Sequence, residues 1–413
     1  MIEKYYSGVI EQIYNRIGKE TRNIVMANYS NDFSIENLEV IRRYQSNEDN
    51  VFFAYSEFSY NTLVGAYEPF LDIICNMHRR FIGGSFDDFQ KKCGVYYLHR
   101  QVLNSYYETG ECFREETVLL NEVAYEQRRM TMAIADMLKK LSEVKPLMIV
   151  INRFQMASKS SIETIKYLID NPCANIGIVL GVNAIVKGTD STVEVWDRIV
   201  ESLEDRSAIY YIGSAGPLKN NVKTTNDDEL YITMNFEQSI QEASNIMEFL
   251  DFEQARRGCR IIEHKLKFED AWIDEKSLRR FYMVYARTSV LLGEMSKAIE
   301  LTNEYKALIP ENDSEHYLSL YYFMKGTCYM YQGKLEKAGN SAKSAYDYAV
   351  LAEDDTLIFK AELLSVMIKM SGWYNIFFCV QDIPVSDEII EKLIKHGYRN
   401  HLAHIYIYAY DNS

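Results

Sequence analysis

Five short apolar runs, at 23–27, 51–56, 147–151, 176–181 and 208–212, alternate with longer helical periods over the first half of the chain. Runs apolar at nearly every position belong to strands buried on both faces, and strands separated by helices pair in parallel. The first half is therefore constrained to an α/β domain. Before the third run, Met130, Ile134, Met137, Leu138 and Leu141 form one face of a helix that leads into Pro146. The segment 213–228, GSAGPLKNNVKTTNDD, breaks every period and predicts the loop that closes a first domain of 1–228. A chain of 413 residues, 47% of them hydrophobic, can bury two or three cores.

From Phe236 onward the strand signal vanishes and small residues recur. Gly326, Tyr329, Gly333, Ala338, Ala342 and Ala345 fall where the two helices of a tetratricopeptide-like hairpin approach too closely for large side chains. Ala286, Gly293, Ala298, Thr302 and Pro310 repeat that spacing, and Ala243, Ala255 and Cys259 give a weaker third copy. The steps from Ala255 to Ala298 to Ala338 are 43 and 40 residues, longer than the usual ~34 of the class, which implies longer helices or loops. Residues 357–370 and 389–410 read as further helices, so 229–413 is expected to be an all-α array whose end is either frayed or part of a longer protein. Such an array offers a concave face to a ligand or partner.

The formal charge of -14 disfavours a polyanion, so no direct nucleic-acid binding is expected. No stretch approaches the roughly 20 apolar residues of a membrane span, and the N-terminus lacks a signal-peptide core, so a soluble cytoplasmic protein with no membrane partner is expected. Seven dispersed cysteines without a CxxC read as reduced core thiols. His396, His401 and His404, with Asp411, lack the spacing of a metal site, so no metal is assigned. GGSFDD at 83–88 reads as a helix start capped by its aspartates, and His78-Arg79-Arg80 and Arg256-Arg257 as solvated faces or ion pairs. Thirty-two tyrosines stand out; Tyr282, Tyr285, Tyr321, Tyr322 and Tyr329 lie on the repeat helices as candidates for a peptide-binding groove, or as filling of the seams between repeats.

The stretch 126–184 resembles the Walker B region of the STAND class of P-loop ATPases, the signal-transduction ATPases of LuxR-type regulators. Phe154, Gln155 and Ala157 keep their places after the strand, Met156 replaces a tryptophan, and Ser160, Ser161 and Ile162 open the next helix. AYEPFLDII at 66–74 is similar to the aromatic-proline segment that follows the second strand in the same class. The resemblance covers roughly 20–185. It implies an α/β P-loop NTPase-like sheet domain followed by helical repeats.

The chemistry departs from that class. A P-loop needs glycines whose N–H groups cradle phosphates, a lysine and a hydroxyl for Mg²⁺. The matching window runs from Ala27 to Ser34: Ala27 and Asp32 replace glycines, Phe33 replaces the lysine, and Ser34 alone survives. A carboxylate facing phosphate at ~4 Å costs about 4 kcal/mol at an effective dielectric of ~20. Asn152 and Arg153 stand at the two Walker B acids, and Ala184 at the sensor arginine. Arg153 is expected to pair with Asp32. With about sixty residues between Ala184 and Ala243, the helical lid and winged-helix modules of the class read as missing or very reduced.

Together these residues lead to a pseudo-NTPase scaffold without catalysis or cofactor, whose repeats bind a protein or peptide; homo-oligomerisation is compatible with it. Two alternatives remain open at this point: the sensor region of a transcription regulator whose DNA-binding effector lies outside this chain, and a divergent ATP-binding switch.

Overall fold

The computed structural model describes residues 2–29, 38–46, 50–58, 63–114, 118–183, 186–187, 190–205, 209–212, 223–224, 235–268, 273–375, 387–395 and 397–411. The chain parts into two compact units, Met1–Arg114 with Glu122–Asp270, and Glu115–Asn121 with Ala271–Ser413. The division thus falls at 270, whereas the change of sequence character placed it at 228.

Each expected apolar run is a strand. β1 (Ile24–Tyr29), β2 (Phe52–Glu57), β3 (Leu147–Asn152), β4 (Ile176–Asn183) and β6 (Ile209–Ile212) form one parallel sheet in the order β2-β3-β4-β1-β6. The two-residue strands β5 (Val186–Lys187) and β7 (Lys223–Thr224) make a separate parallel pair, so part of the expected closing loop is strand. Residues 147–151 of β3 are all fully buried, as a central strand covered on both faces requires.

A helix that the strand pattern left unassigned, α1 (Ile2–Arg16), covers one face. Tyr6, Ile10, Ile13 and Ile17 recur at helical steps and join Val25, Ala27, Phe53, Met148, Val150 and Val179 in one core. Gly177 and Gly181 sit four apart on β4 and therefore share a face. Their bareness admits α1: a Cβ on Gly177 would fall 2.8 Å from Ile17 Cδ1 and 2.9 Å from Ile13 Cγ2. Elsewhere in the unit, α6 (Val123–Val144) packs against α3 (Phe70–Met77) and α7 (Lys159–Asp170), and the expected face Met130, Ile134, Met137, Leu138 and Leu141 is fully buried.

Two local expectations change. Ser85, not an aspartate, caps α4 (Phe86–Lys92) by accepting the Asp88 amide, while Asp87 meets Lys91, Arg100 and Asn104. In the basic cluster at 78–80, Arg79 and Arg80 are exposed as expected, Arg79 lying 4.4 Å over Tyr107 and Arg80 over Phe52 and Phe81, whereas His78 is buried against Phe86, Phe89 and Tyr107.

The second unit is helical: α11 (Glu275–Leu291), α12 (Met295–Ala307), α13 (Ser314–Tyr331), α14 (Leu335–Leu351), α15 (Asp355–Asn375), α16 (Asp387–Lys395) and α17 (Arg399–Asp411). The expected helix at 389–410 is broken near Gly397, whose φ is 72°. Between α11 and α12, Leu292, Gly293 and Glu294 donate to the carbonyls of Thr288, Val290 and Ser289 at 3.1, 3.0 and 2.8 Å. This is the Schellman closure, with its central residue left-handed. The same three bonds recur at Gln332-Gly333-Lys334 and Ala352-Glu353-Asp354, and in the first unit at Phe249-Leu250-Asp251, between α9 (Phe236–Glu248) and α10 (Phe252–Phe268). Five residues beyond the left-handed position stand Ala255, Ala298 and Ala338, each fully buried. The small-residue spacing therefore marks hairpins of one geometry, although the first of them belongs to the sheet's unit. A Cβ on Gly326 would meet Leu364 at 3.0 Å and Ser341 Cβ at 3.3 Å, which fixes how closely α13 is approached.

Glycine tolerates the left-handed region and other residues lose about 1 kcal/mol or more there. With φ of 70° at Gly333 and 52° at Glu353, Gly333→Ala should lower stability in urea by about 1 kcal/mol and Glu353→Gly should raise it by up to about 1 kcal/mol.

Candidate functional site

The connection leaving β1 runs to β2 at one edge of the sheet, and the connection leaving β4 runs to β6 at the other. They part between β4 and β1, and the carboxyl ends of strands at such a point are where open α/β sheets hold ligands. The sequence window at 27–34 begins there. Ala27 is fully buried in β1, in register with Gly181 of β4 and Tyr210 of β6. Asp32, Phe33, Ser34 and Ala184 lie outside the described residues.

Asn152 ends β3 and is fully buried. A Cβ on Gly181 would stand 2.8 Å from Asn152 Oδ1 and run into the Tyr6 hydroxyl, so α1 delivers Tyr6 into the space beside Asn152 that a larger β4 residue would fill. Arg153 follows with φ 54°, a left-handed backbone that few side chains adopt. Its Nη1 lies 3.2 Å from Glu57 Oε1 and donates to the Phe58 carbonyl at 3.4 Å. Glu57 also accepts the Tyr55 hydroxyl. The pairing register β2 to β3 sets Glu57 beside Asn152. Glu57 is thus a carboxylate partner of Arg153 among the described residues, while the expected partner, Asp32, lies outside them; only strand order brings Glu57 there, and no motif marked it. Gly181→Ala should cost about 1–3 kcal/mol in denaturant melts, and adding Tyr6→Phe should recover part of the loss by removing the hydroxyl.

The two segments that carry the family resemblance meet in space. Tyr67, in the turn of AYEP, donates its amide to Ser160 Oγ at 2.9 Å, and Ser161 Oγ donates to the Glu68 carbonyl at 2.7 Å. Ser158 caps α7, and Asp251, directly after the α9–α10 turn, accepts the Ser160 amide at 2.9 Å. Burial pushes the Asp251 carboxyl above its ordinary range, with the Ser160 bonds opposing the shift. A cleft of about 380 Å³ opens on this knot, with Arg128, Lys159 and Lys166 facing Glu163, Asp170 and Asp251. Lys159 is itself held by Glu253 at 2.9 Å.

A second acidic group lies beside Gly65, whose amide donates to Glu68 at 2.9 Å. Burial, then the charges of Glu68 and Asp72, push Glu242 up to about 7 from 4.5. A carboxyl raised on folding binds an extra proton in the native state, so its stabilising contribution is present below pH 4.5 and is lost as pH rises toward 7. Glu242→Gln should therefore melt higher than the parent at pH 8, by an increment on the order of 1–2 kcal/mol, and match it below pH 4.5.

In the helical unit the named tyrosines divide. Tyr285 and Tyr321 are buried, 3% and 2% exposed, and so leave a partner little to touch. Tyr321 accepts Lys325 Nζ at 2.7 Å and donates to Asn303 at 3.4 Å, with Lys306 5.1 Å over its ring. Tyr282, Tyr322 and Tyr329 are half-buried. Tyr322 stacks on Tyr348 with 4° between planes, and Lys337 lies over Tyr329. On α14, Tyr346, Val350 and Leu351 are exposed apolar side chains.

Among the described residues no group of three His, Cys, Asp or Glu could hold a metal ion, and no helix is long and apolar enough to cross a membrane. His401 is buried against Tyr398; His396 lies outside the described residues. Six cysteines among the described residues are free thiols, and burial pushes Cys93 up to about 11 and Cys75 and Cys328 up to about 12. No protein-family model matches the chain, and no curated protein matches it in sequence.

Proposed function

We propose that the chain is a non-catalytic interaction module: a sheet domain related to STAND-class ATPases that has lost its nucleotide chemistry, joined to tetratricopeptide-like repeats that bind a protein or peptide in the cytoplasm. The observation that carries this reading is the recurrence of one Schellman-closed hairpin at Leu250, Gly293 and Gly333, each with its buried alanine five residues on. Stacked hairpins bury their core only through neighbours and leave an extended face to partners. Tyr282, Tyr322 and Tyr329 supply half-exposed aromatic area on these helices, the type of side chain that dominates binding surfaces.

The sheet domain supports the non-catalytic half. Hydrolysis needs a carboxylate or equivalent to orient water and a cation to meet the γ-phosphate. At the two Walker B positions the chain has a neutral amide, enclosed beside Tyr6, and a guanidinium engaged by Glu57. Neither is a carboxylate that could take a proton from water or hold a metal ion. Purified protein with Mg-ATP should release phosphate no faster than buffer; a release rate that Ser34→Ala abolishes would overturn the proposal.

A further inference from the structure

Neither the carboxyl edge of the sheet nor the repeats use the cleft of about 380 Å³ in the first unit, a volume in the range of small-molecule sites. One wall is a face of α6 with Arg128, Thr131 and Met132, and the other a face of α7 with Glu163 and Lys166. Tyr67 and the Leu250-Asp251 turn stand at the end where α7 begins, held there by Ser160. At that end the polar atoms left over are acceptors. The Thr131 hydroxyl spends its one proton on the Gln127 carbonyl at 3.1 Å, so the Tyr67 hydroxyl, 3.4 Å from Thr131 Oγ1, is the donor of that pair and keeps its own lone pairs. Burial raises the Tyr67 phenol, and the charges of Asp251 and Glu163 add to it, so the three oxygen-bearing groups share one neighbourhood. Lys159 also stands there, but Glu253 holds it at 2.9 Å. The other end is cationic. Lys166 is half-buried, with Asp170 exposed one turn further on, and Arg128 reaches this end, because its charge opposes the burial and the Asp136 charge that raise the Tyr167 phenol. None of Arg128, Glu163 and Lys166 is in an ion pair among the described residues, although Glu163 and Lys166 stand three apart on one helix. Neighbours of that spacing on α6 do pair, Lys139 with Asp136 at 3.4 Å and Lys140 with Glu143. Unpaired charges of both signs, sorted to two ends of one cleft, are complementary to a molecule that carries both.

We propose that this cleft binds a zwitterion of dipeptide size, its ammonium received by Glu163, Asp251 and the Tyr67 oxygen and its carboxylate by Lys166 and Arg128. The spacing selects the size. A helix rises ~1.5 Å per residue, which sets Lys166 about 5 Å beyond Glu163 and about 9 Å beyond Ser160, the residue bonded to Asp251. An extended chain covers roughly 3.5 Å per residue, so the charged ends of a dipeptide fall about 7 Å apart, inside that interval, whereas a single amino acid carries both charges on one carbon. Leu250 and Met132 in the lining offer apolar surface to an aliphatic side chain. The site draws on four separated segments of the first unit and on none of the second, so it stands independently of the repeats as an interaction surface.

The test is calorimetry on the full chain with alanyl-leucine, its N-acetyl form, its C-terminal amide and free leucine as probes. Alanyl-leucine should bind saturably, and each of the other three at least tenfold more weakly, because each lacks one charge or the distance between the two. No heat from alanyl-leucine at millimolar concentration, or equal binding of either blocked form or of leucine, would overturn the proposal. These comparisons use the parent chain, so they hold even where a variant fails to fold. Variants then assign the ends. Glu163→Gln should weaken alanyl-leucine at least fivefold and leave the N-acetyl form unchanged, and Lys166→Gln should weaken alanyl-leucine as much and leave the amide unchanged. Undiminished binding of alanyl-leucine by both folded variants would place it elsewhere on the chain and overturn this site.

Discussion

The contact of α1 with the bare face of β4 governs how the sheet domain is closed. Two glycines, Gly177 and Gly181, let Ile13, Ile17 and Tyr6 sit where side chains would otherwise stand. In a close-packed interior that approach cannot be relaxed by a few tenths of an ångström without disturbing the neighbours. It also decides the chemistry of the carboxyl edge, because the residue brought against Asn152 is a tyrosine of the chain itself. Arg153, one position on, has Glu57 for its carboxylate.

Asp251 fastens another part of the same unit. A carboxylate 3% exposed costs free energy to desolvate, and the cost is offset by the Ser160 amide at the start of α7, where the helix dipole favours negative charge. Through it the α9–α10 hairpin is fastened to the turn of Tyr67 and to the serine-rich helix start. A hairpin with the turn geometry of the repeats has thereby become part of the sheet's compact unit. That is why the boundary between units lies some forty residues beyond the boundary in sequence character.

The strands were legible because burial on both faces leaves an uninterrupted apolar run, and the hairpins because close helix approach demands alanine or glycine at fixed spacing. α1 was less legible: its apolar residues recur at helical steps, but no composition shift sets it apart from the turn that follows. Glu57 was not legible at all, since it meets Arg153 only through the register of β2 on β3. Tyr331 carried no distinguishing mark among thirty-two tyrosines. The Leu120 amide meets the Tyr331 hydroxyl across 211 positions, a contact that local pattern cannot encode.

On the function proposed above, this chain acts through its surfaces and not through a bound nucleotide. Isothermal calorimetry with millimolar ATP and Mg²⁺ titrated into the full chain tests that claim most directly. The account predicts no binding heat. Micromolar affinity that is lost in an Asn152→Ala, Arg153→Ala double variant would contradict it and restore the nucleotide switch to first place.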